Sequence, residues 1–167
     1  MSIPNTVLDT RFRSALDRMA ERGRLHTYGA PADPYLDIAG IMKKLDGGPA
    51  LLFSKVDGYD IPVIGNLLSC QANVEAAFGA DFRDVREFVG RALGDPKPPV
   101  LIERAPVQQQ VHTKNIEIGP LLPALHHTAD DAGRYLTAGI VIAKDPDTGV
   151  YNASYHRLML AGGNRAA

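Results

Sequence analysis

The chain holds a single cysteine, Cys70, among 167 residues. One thiol cannot close an internal disulfide, which fits a reducing, cytoplasmic setting. Net charge is also scarce, at −1. That balance gives no electrostatic reason to expect nucleic acid or an anionic membrane as partner. The densest basic cluster is only Arg11, Arg13 and Arg18. No apolar run approaches the roughly 20 residues that a membrane-spanning helix needs, and a polar N-terminus broken by Pro4 does not read as a signal peptide. Internal repeats and low-complexity tracts are absent. What is present is ordinary for a globular protein, with 45% apolar and 22% charged residues.

Helices and strands alternate along the first part of the chain. After a lead-in over residues 1–8, Asp9 or Thr10 caps a helix whose apolar positions are Phe12, Leu16 and Met19, and Gly23 ends it. Arg24 to Tyr28 is extended. Asp33-Pro34 opens a second helix as N-cap and N1 proline, burying Ile38, Ile41 or Met42, and Leu45. Ala50–Phe53 and Ile61–Leu68 read as strands around the turn at 57–60, with Pro62 at a strand start or edge. Ser69–Phe78 is a short helix. Asp81 caps another, with Phe82, Val85, Phe88 or Val89, and Leu93 facing the core. The prolines of 95–99 make the strongest break in the chain. Strands are expected over Val100–Glu103 and Val107–Val111, then mostly loop over Asn115–Gly133, where Pro120 and Pro123 block a long helix. The fold class is therefore α/β (α+β), with an N-terminal α/β domain over 1–110 and the start of a β-rich domain over 111–167.

The chemistry concentrates in Thr137–Leu160. An apolar strand leads into Asp145-Pro146-Asp147-Thr148-Gly149, a turn with a preset proline and a permissive glycine. The following strand carries Asn152, Ser154, His156 and Arg157. A calcium loop is excluded by count, because the glycine falls one place early and the twelfth position is His156. Side chains alternate on a strand, so Asn152, Ser154 and His156 share one face while Tyr151, Ala153, Tyr155 and Arg157 take the other. Two readings remain open. One is an edge strand with a solvated face. The other is a phosphate or metal-phosphate site, with Asn giving a carbonyl oxygen, Ser a hydroxyl and Arg a fixed fork for an anion. The second reading requires a bulge between Asn152 and Arg157 to bring both to one pocket.

The string G-x-V-I-x-K-D-P-x-T-G-x-x-N-x-S-x-x-R over Gly139–Arg157 resembles the UbiD-like decarboxylase family. Weaker pieces follow in order upstream: Gly23-Arg24-Leu25, Gly48-Pro49-Ala50-Leu51-Leu52-Phe53, Gly58-Tyr59-Asp60-Ile61-Pro62-Val63 and Gly65-Asn66-Leu67. The resemblance implies a reversible decarboxylase of aromatic, heteroaromatic or α,β-unsaturated carboxylic acids that uses prenylated FMN. It implies that Asn152 ligates manganese holding the flavin phosphate, and that the Ala153 carbonyl belongs to a potassium site. Ser154, Tyr155 and His156 would line the flavin. Arg157 would serve catalysis, steering the substrate carboxylate and setting glutamate protonation. The fold implied after the α/β domain is the first strands of a split β-barrel flavin-binding domain. The resemblance also implies a flavin prenyltransferase as cofactor supplier and a homo-oligomer for the full-length enzyme. The family's metal-binding His and Glu and its catalytic glutamates lie beyond Ala167, so the expectation is an N-terminal portion that is inactive alone. The alternatives are a non-catalytic binding or assembly module and a flavin-reductase-like split barrel.

Four other features stand outside this stretch. His126-His127 lies among prolines and small polar residues, which favours a surface loop over a metal site. Cys70 at a helix start reads as a buried thiol more readily than a reactive one. Gly162-Gly163-Asn164 lacks the strand-then-helix context of a phosphate loop and reads as a turn. Gln108–Gln110 is too short to carry a meaning.

Overall fold

Phe12, Leu16 and Met19 recur at helical spacing, and helix α1 runs over Phe12–Glu21. The structure is a computed structural model that describes residues 8–167. The lead-in expected over 1–8 thus lies, Leu8 apart, outside the described residues. Met19 is fully buried, whereas Phe12 stays exposed, so the buried stripe is narrower than the pattern suggests. Neither Asp9 nor Thr10 caps the helix. Arg11 stands at the N-cap without a side-chain bond, and Asp9 turns its carboxylate onto the Arg11 amide at 3.0 Å and guanidinium at 2.8 Å. That pairing holds the Asp9 carboxyl well below the usual range. Gly23, at φ 65°, ends the helix in the left-handed conformation that glycine adopts without strain.

Strands β1 (Leu25–Tyr28), β2 (Ala50–Phe53) and β3 (Val63–Gly65) form a sheet in the order β1-β2-β3. The strand expected over Ile61–Leu68 shrinks to Val63–Gly65. Pro62 cannot donate to a ladder and precedes it, and Asn66 at φ 53° turns the chain away at its end. Helix α2 covers Asp37–Lys44 and starts later than Asp33-Pro34 suggests. Asp33 instead closes a local turn, its Oδ1 accepting the Tyr35 amide at 2.7 Å, and Leu36 follows at φ 70°. Ile38 is fully buried as expected, while Leu45 is exposed. Helix α3 is Gln71–Phe78, and α4 is Phe82–Gly94 with Asp81 at its N-cap. Val85 is the buried residue of α4, and Leu93, expected in the core, is 78% exposed.

The strands expected at Val100–Glu103 and Val107–Val111 do not form. Only a 3-10 turn over Pro106–Gln108 interrupts irregular chain between α4 and α5 (Ile118–Leu121). Leu101 is 95% exposed. Pro98, Pro99 and Pro106 remove ladder donors, and no described strand lies alongside to receive the segment. Antiparallel strands β4 (Tyr135–Lys144) and β5 (Tyr151–Met159) make a separate two-stranded sheet. The architecture is mixed α/β with small sheets.

The chain divides into two compact units. The first comprises the residues up to Tyr28, Leu45–Leu52 and Ile64–His112. Its core joins Met19 of α1 to Ala50 of β2 and to Ala76 and Ala77 of α3, with Leu25, Leu67 and Phe78 packed around them. Arg18 ties α1 to α3 by donating from Nε to the Ala77 carbonyl at 2.9 Å. Asn73, with no exposed surface, fastens α3 to the neighbouring loops. Its Nδ2 donates to the carbonyls of Asn66 at 2.9 Å and Gly48 at 3.1 Å, and its Oδ1 accepts from Arg24 Nε at 2.8 Å. The second unit comprises Gly29–Lys44, Phe53–Val63 and Thr113–Ala167. There Ala32 bridges Val56, Tyr35 bridges His126 and Leu125 bridges Tyr135, burying Ala32, Ile38, Phe53, Val56, Ala124 and Leu125.

Candidate functional site on the β4–β5 hairpin

The turn between β4 and β5 is organised by Asp145. Its Oδ1 accepts the amides of Thr148 at 2.7 Å and Asp147 at 2.9 Å, and its carbonyl accepts the Gly149 amide at 3.0 Å. These amide bonds, led by Thr148, hold the Asp145 carboxyl below its usual range. Gly149 takes φ 72°, a conformation that costs glycine nothing. The sequence Asp-Pro-Asp-Thr-Gly therefore sets the register that follows.

Lys144 pairs with Tyr151, Ala143 with Asn152, Val141 with Ser154 and Gly139 with His156. Asn152, Ser154 and His156 accordingly share one face, and Ser154 Oγ lies 2.7 Å from His156 Nε2. Asn152 and His156 are exposed, Ser154 half-buried, and the Asn152 amide makes no hydrogen bond among the described residues. Tyr151, Ala153 and Tyr155 occupy the opposite face with Ile140 and Ile142.

Arg157 is not brought to the Asn152 face. The ladder is regular through His156, and its irregularity falls between Leu136 and Gly139 of β4. Thr137 and Ala138 are therefore together opposite Arg157, so the extra residue sits on β4 rather than on β5. Gly139 borders this bulge for a steric reason that the sequence pattern does not express. A Cβ there would stand 3.2 Å from the His156 carbonyl oxygen and 3.3 Å from Leu158 Cδ1. Arg157 is exposed and has no carboxylate within 4.0 Å among the described residues. No group of three or more His, Cys, Asp or Glu side chains able to hold a metal occurs among them either.

Elsewhere, the His126-His127 segment behaves as a loop. Asp131 Oδ2 accepts the amides of His127 and Thr128 at 3.1 and 3.0 Å, and the His126 ring packs on Tyr35 with centroids 4.8 Å apart. Cys70 is half-buried at the N-cap of α3, its Sγ 3.2 Å from Arg24 Nη2. Gly162 and Gly163 form a turn at φ 79° and 60°. Arg134, at the foot of β4, has no part in the sequence reading, because its partner Tyr59 lies 75 residues away.

Two family models match the chain. Residues 16–93 match the N-terminal domain of 3-octaprenyl-4-hydroxybenzoate carboxy-lyase (UbiD), and residues 100–167 match its Rift-related domain. An uncharacterized protein of Rhodospirillum rubrum is 34% identical over 155 residues, covering 90% of this chain and 33% of its own length. The anhydromevalonate phosphate decarboxylase of Methanothermobacter thermautotrophicus is 33% identical over 108 residues, 65% of this chain and 25% of that protein. Among solved structures, the UbiD-class enzyme HmfF from Pelotomaculum thermopropionicum, in complex with FMN, superposes with a TM-score of 0.86 at 36% identity. The overlap covers 92% of this chain and 35% of that one. An evolved dimeric form of the same enzyme, in complex with prFMN, superposes with a TM-score of 0.87. The chain thus spans about a third of the length of HmfF and of the Rhodospirillum protein.

Proposed function

The chain belongs to the UbiD family of decarboxylases, and on that premise we propose that it carries the first strands of the flavin cradle of a prenylated-FMN-dependent carboxy-lyase. The observation that supports this most is the polar face of β5, where an unbonded Asn152 amide stands beside a Ser154–His156 pair. A free carbonyl oxygen suits a hard cation, and a hydroxyl with an imidazole suits phosphate oxygens. The fit is partial. Such a cation takes about six oxygen ligands, and Asn152 is one side-chain donor.

In this reading Asn152 would be the side chain that holds manganese beside the cofactor, and the Ala153 carbonyl would serve a potassium ion. Ser154 and His156 would line the flavin with their side chains, and Tyr155, whose ring lies on the opposite face, through its main chain. Along the free edge of β5, alternate backbone amides and carbonyls have no ladder partner and can take up polar groups of the cofactor. When bound, prenylated FMN supplies the electron sink that lets a carboxylate leave as carbon dioxide. Arg157, on the face of β5 opposite Asn152 and lacking a carboxylate of its own, would grip the substrate carboxylate through its planar fork and set the protonation of a glutamate supplied from elsewhere. The proton donor is contributed from outside the described residues. The substrates are aromatic, heteroaromatic or α,β-unsaturated carboxylic acids.

The hairpin is read as the opening of a split β-barrel. A two-stranded sheet is marginal on its own, and Ile140, Ile142, Tyr151 and Tyr155 are exposed along one face. Further barrel strands would cover them. The domain division that goes with this reading is 1–110 and 111–167.

The test is to co-produce the chain with a flavin prenyltransferase in manganese-containing medium and to identify the extracted cofactor by absorption and mass. Prenylated FMN is expected to co-purify, with occupancy reduced on the order of tenfold in Asn152→Ala, and no carbon dioxide should be released. Ordinary FMN bound regardless of the prenyltransferase would replace this reading with a plain flavin barrel. An absence of any flavin would replace it with a non-catalytic module, and turnover would overturn the claim that the acid lies elsewhere.

A further inference from the structure

A cleft of about 360 Å³ opens in the second unit beside α5 and the turn at 161–165. That volume is at the small end of ligand sites. Gly119, Pro120, Arg134, Leu160 and Gly163 line it, with Glu117 as its acidic member. None of Asn152, Ser154, His156 and Arg157 does, so the inference below does not rest on the flavin reading.

Arg134 is the unusual member. It is half-buried, and Nη1 donates to Tyr59 Oη at 2.6 Å. Tyr59 Oη in turn donates to the Gly119 carbonyl at 2.7 Å. A neutral phenol therefore pins the guanidinium while leaving its charge unmatched. Among the described residues no carboxylate lies within 4.0 Å of Arg134, and its Nε and Nη2 have no hydrogen-bond partner. A cation partly withdrawn from water is costly without an anion. Half-buried Arg18, by contrast, has Asp9 at 3.4 Å. Gly119 completes the arrangement, since a Cβ there would stand 2.9 Å from Arg134 Nη2. The bare backbone lets the guanidinium lie against α5.

We propose that this cleft binds a small monocarboxylate with Arg134 as its counter-ion. The guanidinium fork matches a carboxylate in plane and spacing. Glu117 shares the lining without pairing to Arg134, and its carboxylate repels a second negative charge, so a singly charged anion at the guanidinium is favoured over a phosphate dianion. Pro120 and Leu160 offer apolar wall to a hydrocarbon body.

The experiment is a titration of the ¹⁵N-labelled chain with sodium benzoate at fixed ionic strength, with inorganic phosphate as a second arm. Benzoate should shift the amides of Gly119, Gly133, Gly162 and Gly163 saturably, with the roughly millimolar affinity expected of so small a ligand. Phosphate should not. Arg134→Ala should weaken binding about tenfold or more, and Arg134→Lys, which keeps the charge and loses the fork, by several-fold. Gly119→Ala leaves the charge in place and asks only the flexible end of Arg134 to move, so it should fold and still lose binding. It carries the test if Arg134→Ala does not fold. Non-saturating shifts, equal shifts with phosphate, shifts confined to Asn152–Arg157, or binding retained in Gly119→Ala would each overturn the proposal.

Discussion

Replacing Asn73 by alanine tests how the first unit is held together. The side chain has no exposed surface and makes three short bonds: two to the carbonyls of Asn66 and Gly48, and one from the Arg24 guanidinium. A neutral bond contributes about 1 kcal/mol net and one to a charged group roughly 1.5–3 kcal/mol. Asn73→Ala removes all of them and leaves Nε of half-buried Arg24 without its acceptor, so the expected loss is roughly 4 kcal/mol. A domain of this size loses about 2–4 °C per kcal/mol, which puts the fall in Tm at roughly 8–16 °C. Urea unfolding followed by circular dichroism should show the midpoint move without a change of slope. Asn73→Asp keeps an acceptor for Arg24 but sets a carboxylate oxygen against two carbonyls, and should also destabilise. Asn152→Ala is the control. That amide is exposed and unbonded, and its truncation should fall within about 0.5 kcal/mol of the parent. An Asn73→Ala loss below about 1 kcal/mol would refute the claim that this amide fastens α3 to its neighbouring loops.

Two further outcomes follow from the hairpin and the surface carboxylates. Gly139→Val places a branched side chain against the His156 carbonyl and Leu158. It should disturb the amide signals of His156–Leu158 and lower hairpin protection from hydrogen exchange by about tenfold; unchanged signals would show that the bulge tolerates a side chain. Asp9, Asp131 and Asp145 all have depressed carboxyl pKa values, each held by hydrogen bonds. A depressed folded-state pKa contributes stability above the unfolded value of about 3.9 that is lost as pH falls through the folded value. The urea midpoint should therefore fall as pH drops below about 4, and a midpoint rising on acidification would contradict these pairings.

Much of the hairpin is legible in the residues. Asp145, Pro146 and Gly149 encode the turn locally, and the period of two on β5 places Asn152, Ser154 and His156 on one face whatever surrounds them. Helices α1 and α4 are legible for the same local reason. What α4 buries is legible only in part, since Val85 is buried as expected while Leu93, at the right spacing, is left uncovered among the described residues.

The apolar run Val100-Leu101-Ile102 shows the limit most plainly. Apolarity makes a segment able to be a strand, but a strand exists only where another chain segment offers its backbone, and none of the described strands does. Asp33-Pro34 likewise has the chemistry of a helix start, yet the Asp33 carboxylate is taken by the Tyr35 amide and α2 begins later. The sequence by itself settled the elements whose bonds are local: the helical periods, the Asp-Pro turn, and the alternation that gathers the polar face of β5. The tertiary structure alone decided what depends on partners distant in sequence. Asn73 is buried because Gly48, Asn66 and Arg24 converge on it. Arg134 lines a cleft because Tyr59 reaches it across 75 residues. Arg157 stays off the Asn152 face because the extra residue of the bulge fell on β4 and not between the two on β5.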